Sequence, residues 1–390
     1  MNALIAQCGG PTAVLNTTLA AVVAALRADP RITSIYGSRY GMQGLARGDW
    51  ADLTGLTGDH LAQLGEQPGA ALGSSRYRPA DDEMPAIVER LRARAVGALF
   101  LIGGNGTMAA AARIHALAAG QGVACQVIGI PKTIDNDLAG TEVTPGYGSA
   151  ARYVAQTTRE VGLDLRSMRG FEQVAVLEIM GRHAGWLAAA SALARGWPGD
   201  LPHLILLPET PIDVAQVLAA IEQRFRADGV CLVVASEGVR DLNGAYLAEL
   251  QGSAASDASG QRIFSLASGA AAYLAERVTA ELGLRCRPIR PSTIQRASAA
   301  LTSPADRLLA RQAGEAAVDA WQRGLSGVMM SIRRSESGWA VEPAPLAAAQ
   351  AGERHLPEHF VDAAAFDVTP AFVAYVRPLV EPLSPPAMLF

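Results

Sequence analysis

Between residues 98 and 137 one local plan occurs twice: a short apolar run, then a polar loop of anion-binding character. The first run, ALFLI, empties into Gly103-Gly104-Asn105-Gly106-Thr107; the second, VIGI, empties into Pro131-Lys132-Thr133-Ile134-Asp135-Asn136-Asp137. Short continuous apolar runs bounded by turn residues read as buried strands. The spacer reads as a helix over 108–119, so the order is strand, loop, helix, strand, loop, a right-handed parallel βαβ unit. Open α/β sheets place ligands at the carboxyl ends of such strands. The glycines of the first loop let backbone N–H groups approach a phosphate closely. The second loop adds a lysine and two carboxylates. Taken alone, its Asp and Asn residues also suit an ordinary Asx-rich turn. A phosphate cradle, a cation and a candidate base side by side point to phosphoryl transfer.

The flanking chain continues the alternation. Residues 2–7 read as a strand entering Cys8-Gly9-Gly10-Pro11-Thr12, with a helix over 14–26, a second strand–glycine–helix succession. The loop 68–79 carries Arg76 and Arg78, which taken alone read by default as solvated surface arginines, and a helix follows over 82–94. Further on, a helix over 148–167, strands over 174–179, 204–207 and 231–236, and a helix starting near His183 are expected. Thr210 and Pro211 carry the cap and first-position signature of another helix. Residues 252–260 are the most linker-like segment. Helices over 268–282 and 304–323, a strand near 285–289 and one over 327–332 complete the pattern. Repeated alternation of this kind argues for doubly wound, mainly parallel sheets.

At 390 residues, half of them apolar and 18% charged, the chain has material for two domains. A net charge of −4 offers no general attraction to nucleic acid or an acidic membrane. The four cysteines, Cys8, Cys125, Cys231 and Cys286, are too dispersed for a zinc site and read as reduced thiols. The N-terminal segment lacks a signal peptide's pattern, and no apolar run nears the ~20 residues of a membrane span. A cytoplasmic enzyme is the expectation.

GGNGT alone resembles the turn of several kinase families, including NAD and lipid kinases. PKTIDND, together with Met180-Gly181-Arg182 and Gly185, is similar to the signature of phosphofructokinases, and GGPTAVLN, GSSRYR, SEG, IQR and YVRPLV fall in that family's order. The chain therefore resembles a phosphofructokinase over nearly its whole length, and its two ends look most like the branch associated with pyrophosphate. The resemblance implies two Rossmann-like domains with the active site in the cleft between them. It assigns 1–138 plus about 260–305 to the donor-phosphate domain, and 139–259 plus about 306–390 to the sugar-phosphate domain. It implies Asp135 as the base toward the sugar 1-hydroxyl, with Thr133 beside it, and Lys132 and Arg182 as cations around the transferring group. Gly10, Arg76, Gly104, Asn105, Gly106 and Thr107 would hold donor phosphates. Met180, Gly181, Arg182, Glu237, Arg287 and Arg290, with Thr133 and Asp135, would bind the sugar phosphate. Asn105 and Asp137 would face Mg²⁺. A homodimer or homotetramer is implied as well.

Three departures stand out. Asn105 replaces a frequent metal-binding aspartate, Gln173 a frequent arginine and Thr293 a frequent histidine. The donor is decided on Gly106: pyrophosphate users typically carry an aspartate there, whereas glycine removes the charge that repels a third phosphate. Ala110, a little further along the same loop, points the other way, since it would crowd a nucleotide that prefers glycine there. ATP is therefore the expected donor to fructose 6-phosphate, pyrophosphate the alternative, and a non-catalytic sugar-phosphate sensor a further one.

Overall fold

The computed structural model describes residues 1–250, 255–256, 262–263, 269–336, 338–380 and 382–383. Contacts divide the chain into two compact units, Met1–Ser149 with Arg296–Arg354, and Ala150–Gln295 with His355–Phe390.

The first unit is built on a seven-stranded sheet. Strands β1 (Asn2–Gln7), β2 (Ser34–Ser38), β4 (Val96–Gly103) and β5 (Gln126–Pro131) run parallel, and β3 (Trp50–Asp52) pairs antiparallel at one edge. The hairpin Val328–Ser335 and Gly338–Pro345 closes the other edge, its first strand parallel to β5. From β1 the chain passes to β2 on one side and only later to β4 on the other, so the strand order reverses between β1 and β4. In α/β sheets that reversal opens a crevice at the carboxyl ends. Gln7 lies opposite Ile102 and Gly103 opposite Pro131, so three loops leave the sheet at one level. The middle residues of β1 and β4 are fully buried, as two-sided covering by helices demands. Each such Leu or Ile contributes about 1.5–3 kcal/mol of transfer free energy.

The second unit holds a four-stranded parallel sheet: Cys286–Ile289, β6 (Val174–Ile179), β8 (Cys231–Ser236), then β7 (Leu204–Leu206) at the far edge. Ile179 faces Ser236, so Met180 and Glu237 leave adjacent strand ends together. Among the described residues no helix is long and apolar enough to cross a membrane.

Two segments of the C-terminal third, 260–295 and 306–354, lie in the other unit from the one the sequence implies. Residues 260–295 belong to the second unit because Cys286–Ile289 pairs with β6 and helix Ala270–Leu282 packs on that sheet. Residues 306–354 belong to the first, because helix Pro304–Gln322 packs on helix Leu15–Arg27 and the following strand joins β5. The Thr210–Pro211 start is also corrected. Ile212 bridges to Asp241, and the helix begins at Val214 with Asp213 capping Ala215 N at 2.9 Å. The helix expected near His183 begins at Trp186. The linker-like segment 252–260 lies outside the described residues apart from 255–256.

Candidate functional site

In the first unit, the loops after β1, β4 and β5 converge. Gly103 leaves no room for a Cβ against the Thr107 side chain, and its carbonyl accepts Lys132 N at 3.0 Å. A Cβ on Gly104 would lie 3.5 Å from the Lys132 carbonyl oxygen and 3.7 Å from Thr133 Cβ, so the two loops are in contact. Gly104 precedes helix Asn105–Gly120 with extended backbone, and its carbonyl accepts Thr107 N at 2.9 Å. The first-turn amides of that helix form an anion-binding end of the kind that phosphates occupy.

Lys132 is 4% exposed and donates from Nζ to the Gly10 carbonyl at 2.9 Å. Burial lowers its pKa to about 8, against the opposing pull of Cys8, Asp135 and Asp137. The neighbouring Cys8 thiol is pushed up by burial to about 11, so at neutral pH it is a proton-bearing wall of the site. Gly9 has a left-handed φ of 77°, and a Cβ there would sit 3.1 Å from the lysine nitrogen, a position suited to glycine.

The acid-bearing turn is held by residues on both of its sides. Thr133 Oγ1 accepts Asp135 N at 3.1 Å. Asn136 is fully buried at φ 54°, a conformation asparagine tolerates better than most residues. Its Oδ1 accepts Thr144 N at 3.0 Å, and the Thr144 hydroxyl donates to Thr133 O at 2.8 Å. Asn105 Nδ2 donates to Asp137 Oδ2 at 3.1 Å, and Asn105 Oδ1 is buried without a hydrogen-bond partner. An orphaned amide oxygen beside a carboxylate fits a Mg²⁺ whose remaining ligands are phosphates and water. Among the described residues no group of three or more His, Cys, Asp and Glu is placed to hold a metal by itself.

Arg296 also belongs to this unit, a residue to which the sequence motifs attach no role. A Cβ on Gly10 would lie 3.4 Å from its guanidinium, and it interacts electrostatically with Asp135, Lys132 and Arg76. Burial, reinforced by Arg76, lowers its pKa below the usual guanidinium range, while Asp135 opposes the shift. Its sequence signal was the IQR triplet. Gly106 is exposed, with open space where a side chain would project. Ala110 lies inside helix Asn105–Gly120 and packs into the core, not on the loop.

In the second unit, Met180 N donates to the buried Gln295 Oε1 at 3.1 Å, and the Ser236 hydroxyl donates to the Gly181 carbonyl. Gly181 is held at φ 134°, with the Ala184 carbonyl 2.7 Å from where a Cβ would sit. Arg182 pairs with Glu237 at 3.9 Å. Burial raises the Glu237 pKa, and the Arg182 charge counters part of that rise. Arg290 is ion-paired with the buried Glu178. Arg287 pairs with Glu172, has Asp164 at 3.7 Å, and is half exposed. Gln173 Oε1 accepts Arg285 N at 2.7 Å, tying the start of β6 to the start of strand Cys286–Ile289. The structure therefore gathers Gly10, Gly104, Asn105, Thr107, Lys132, Thr133, Asp135 and Asp137 in one unit, and Met180, Gly181, Arg182 and Glu237 in the other. Arg287 is engaged with local carboxylates on a strand of the second sheet.

Comparison with known proteins agrees with this architecture. Residues 2–321 match the family model described as PFK, Phosphofructokinase. A pyrophosphate–fructose 6-phosphate 1-phosphotransferase of Xanthomonas campestris is 38% identical over 98% of this chain and 92% of its own length. A sulfofructose kinase of Alkalicoccus urumqiensis is 36% identical over 93% of this chain and 92% of its own. The crystal structure of a pyrophosphate-dependent phosphofructokinase from Marinobacter aquaeolei superposes with a TM-score of 0.88 at 33% identity, covering 99% of this chain and 93% of that one. With these matches, and with both glycine turns and the PKTIDND loop on sheets of the corresponding fold, the chain belongs to the phosphofructokinase family.

Proposed function

We propose that this protein transfers a phosphoryl group from pyrophosphate to the 1-hydroxyl of fructose 6-phosphate. The observation that carries the reading is the packing of the GGNGT turn against the lysine-bearing, acid-bearing turn in a chain whose relatives are named for that reaction. The expectation of ATP is corrected by those relatives: the Xanthomonas campestris enzyme and the Marinobacter aquaeolei structure are both named for pyrophosphate. The expectation rested on a removed repulsion at Gly106, and an absent carboxylate is not by itself an affinity for a nucleotide.

In this reading the first-turn amides at Gly104, Asn105, Gly106 and Thr107, the Gly10 loop, Arg76 and Lys132 hold the diphosphate. Asp135 takes the proton of the sugar 1-hydroxyl as its oxygen attacks phosphorus, and inorganic phosphate departs. A positioned base of this kind typically contributes ~10²–10⁴-fold. Positioning and charge neutralisation supply the rest, because the transition state is loose. Asn105 Oδ1 and Asp137 would hold Mg²⁺, which when bound neutralises phosphate charge. Met180, Gly181, Arg182 and Glu237 bind the sugar phosphate, with Arg182 also serving the transferring group.

Sulfofructose is a second acceptor to examine. Arg287 and Arg290 are already paired with Glu172 and Glu178, which reduces the positive charge left for a doubly charged substituent. Steady-state assays with pyrophosphate, Mg²⁺ and each acceptor in turn test both readings. Binding of either sugar without turnover would instead support a sensor. Sedimentation of the purified chain tests the dimer or tetramer.

A further inference from the structure

The family match ends at residue 321, yet the turn that carries Asp135 is braced from beyond it. Strand Val328–Ser335 lies against the chain that follows the turn. The Ser331 hydroxyl donates to Gly140 O at 2.7 Å, Ile332 N donates to Thr141 Oγ1 at 2.9 Å, and Glu142 N donates to Ile332 O at 2.9 Å. Glu353 bridges antiparallel to Leu138. Arg354 then closes on the turn itself. Its guanidinium forks onto the Asn136 carbonyl from Nε at 3.1 Å and Nη2 at 2.8 Å, and its backbone N–H donates to Asp137 O at 2.7 Å.

Asn136 stands between the two acids in a left-handed conformation. Its side chain is pinned to Thr144 and its carbonyl to Arg354. A peptide carbonyl gripped by two charged N–H groups is held more firmly than by a neutral bond. That carbonyl belongs to the peptide joining Asn136 to Asp137, so the grip fixes the exit of the turn at Asp137 while the Thr144 bonds fix the Asn136 side chain that follows Asp135. Within the second unit, His355 Nδ1 lies 2.9 Å from the His183 carbonyl, and Leu356 N donates to Glu209 Oε1, which also accepts Gly185 N. Trp186 packs its ring 6.0 Å from Phe360 and 5.4 Å from Tyr375, residues also beyond the family match. Consecutive residues, Arg354 and His355, thus serve the acid-bearing turn and the Met180–Gly185 turn respectively.

We propose that Arg354 is a positioning residue for phosphoryl transfer, fixing the Asp135–Asn136–Asp137 turn from outside the family core. The proposal rests on the reading of Asp135 as the base. It acts without touching either substrate, so its removal lowers turnover while leaving the sugar's KM in place. The test uses the full chain with Arg354→Met, which keeps the stem and removes the fork, and Arg354→Lys, which keeps the charge.

Arg354→Met is expected to lower kcat by about 10²-fold, the scale of an ångström-sized misplacement, with the fructose 6-phosphate KM nearly unchanged. Arg354→Lys is expected to recover part of that loss. Hydrogen exchange without substrates is expected to rise in the peptide 132–146 of Arg354→Met and to stay at wild-type level in the strands. Unchanged kcat and unchanged exchange in that peptide overturn the proposal. So does a loss accompanied by faster exchange throughout both units, which marks a general structural role. If wild-type protein shows no turnover but the exchange response is confined to 132–146, the brace stands and the assigned reaction fails.

Discussion

Lys132 donates its ammonium to the Gly10 carbonyl across 2.9 Å, joining the loop after β5 to the loop after β1. With Lys132 N bonded to Gly103 O, one residue ties together all three loops at the strand-order reversal. Its charge is buried where a donor phosphate would replace the water it has lost. That arrangement is costly in the free protein and useful once an anion arrives.

The charge on Lys132 gives a pH signature. Burial lowers its pKa to about 8, below the ~10.4 of an unfolded lysine. Between those values the unfolded chain binds more protons, so this group's contribution to stability rises with pH from about 8 toward 10.4. Activity runs the other way, since the cation is lost above about pH 8. The kcat/KM for pyrophosphate is expected to fall on that limb. Lys132→Met should abolish the limb and lower kcat by about 10²–10³-fold, the loss typical of removing one preorganised donor.

Asp135→Asn removes the proposed base and keeps the size of the side chain. Turnover is expected to fall by about 10²–10⁴-fold. Pyrophosphate affinity, measured by calorimetry in the presence of Mg²⁺, is expected to stay close to wild type. A near-normal rate removes Asp135 from the role.

Asn136→Ala places an ordinary residue at φ 54° and discards the Oδ1 bonds to Thr144. Together these losses should cost about 2–3 kcal/mol in denaturant unfolding. Asn136→Gly keeps the backbone conformation and loses only the side-chain bonds, so it should cost clearly less. Equal losses in the two variants would deny the left-handed strain any part.

Asn105→Asp sets a second carboxylate beside Asp137, where an amide now donates at 3.1 Å. Repulsion should lower the melting temperature in chelator, and Mg²⁺ should raise it by more than it does in wild type. The same response in both proteins would place the metal elsewhere.

The strands were legible because their apolar runs have no other place to go. β1, β6 and β8 begin and end where the residue pattern puts them. The hairpin Val328–Pro345 was half seen: its second strand, GWAVEPAP, carries two prolines and a glutamate and sits on a sheet edge, where apolar alternation is not required. Thr210 and Pro211 formed a convincing cap by themselves, but a long-range bridge from Ile212 delayed the helix until Val214, with Asp213 as its cap. At the site, Lys132 and the glycines were readable as local motifs. Arg354 was not, since it reaches the loop only through tertiary contacts, and Arg296 showed only as a member of the IQR triplet with no role attached. The misassigned 260–295 and 306–354 segments have the same origin: which sheet a late strand joins is decided by pairing partners far away in the chain.

Purified protein supplied with pyrophosphate, fructose 6-phosphate and Mg²⁺, and in parallel with ATP in place of pyrophosphate, tests the central claim most directly. Fructose 1,6-bisphosphate is expected to form with stoichiometric release of inorganic phosphate in the pyrophosphate reaction. Its absence there, with product formed from ATP, would contradict the account.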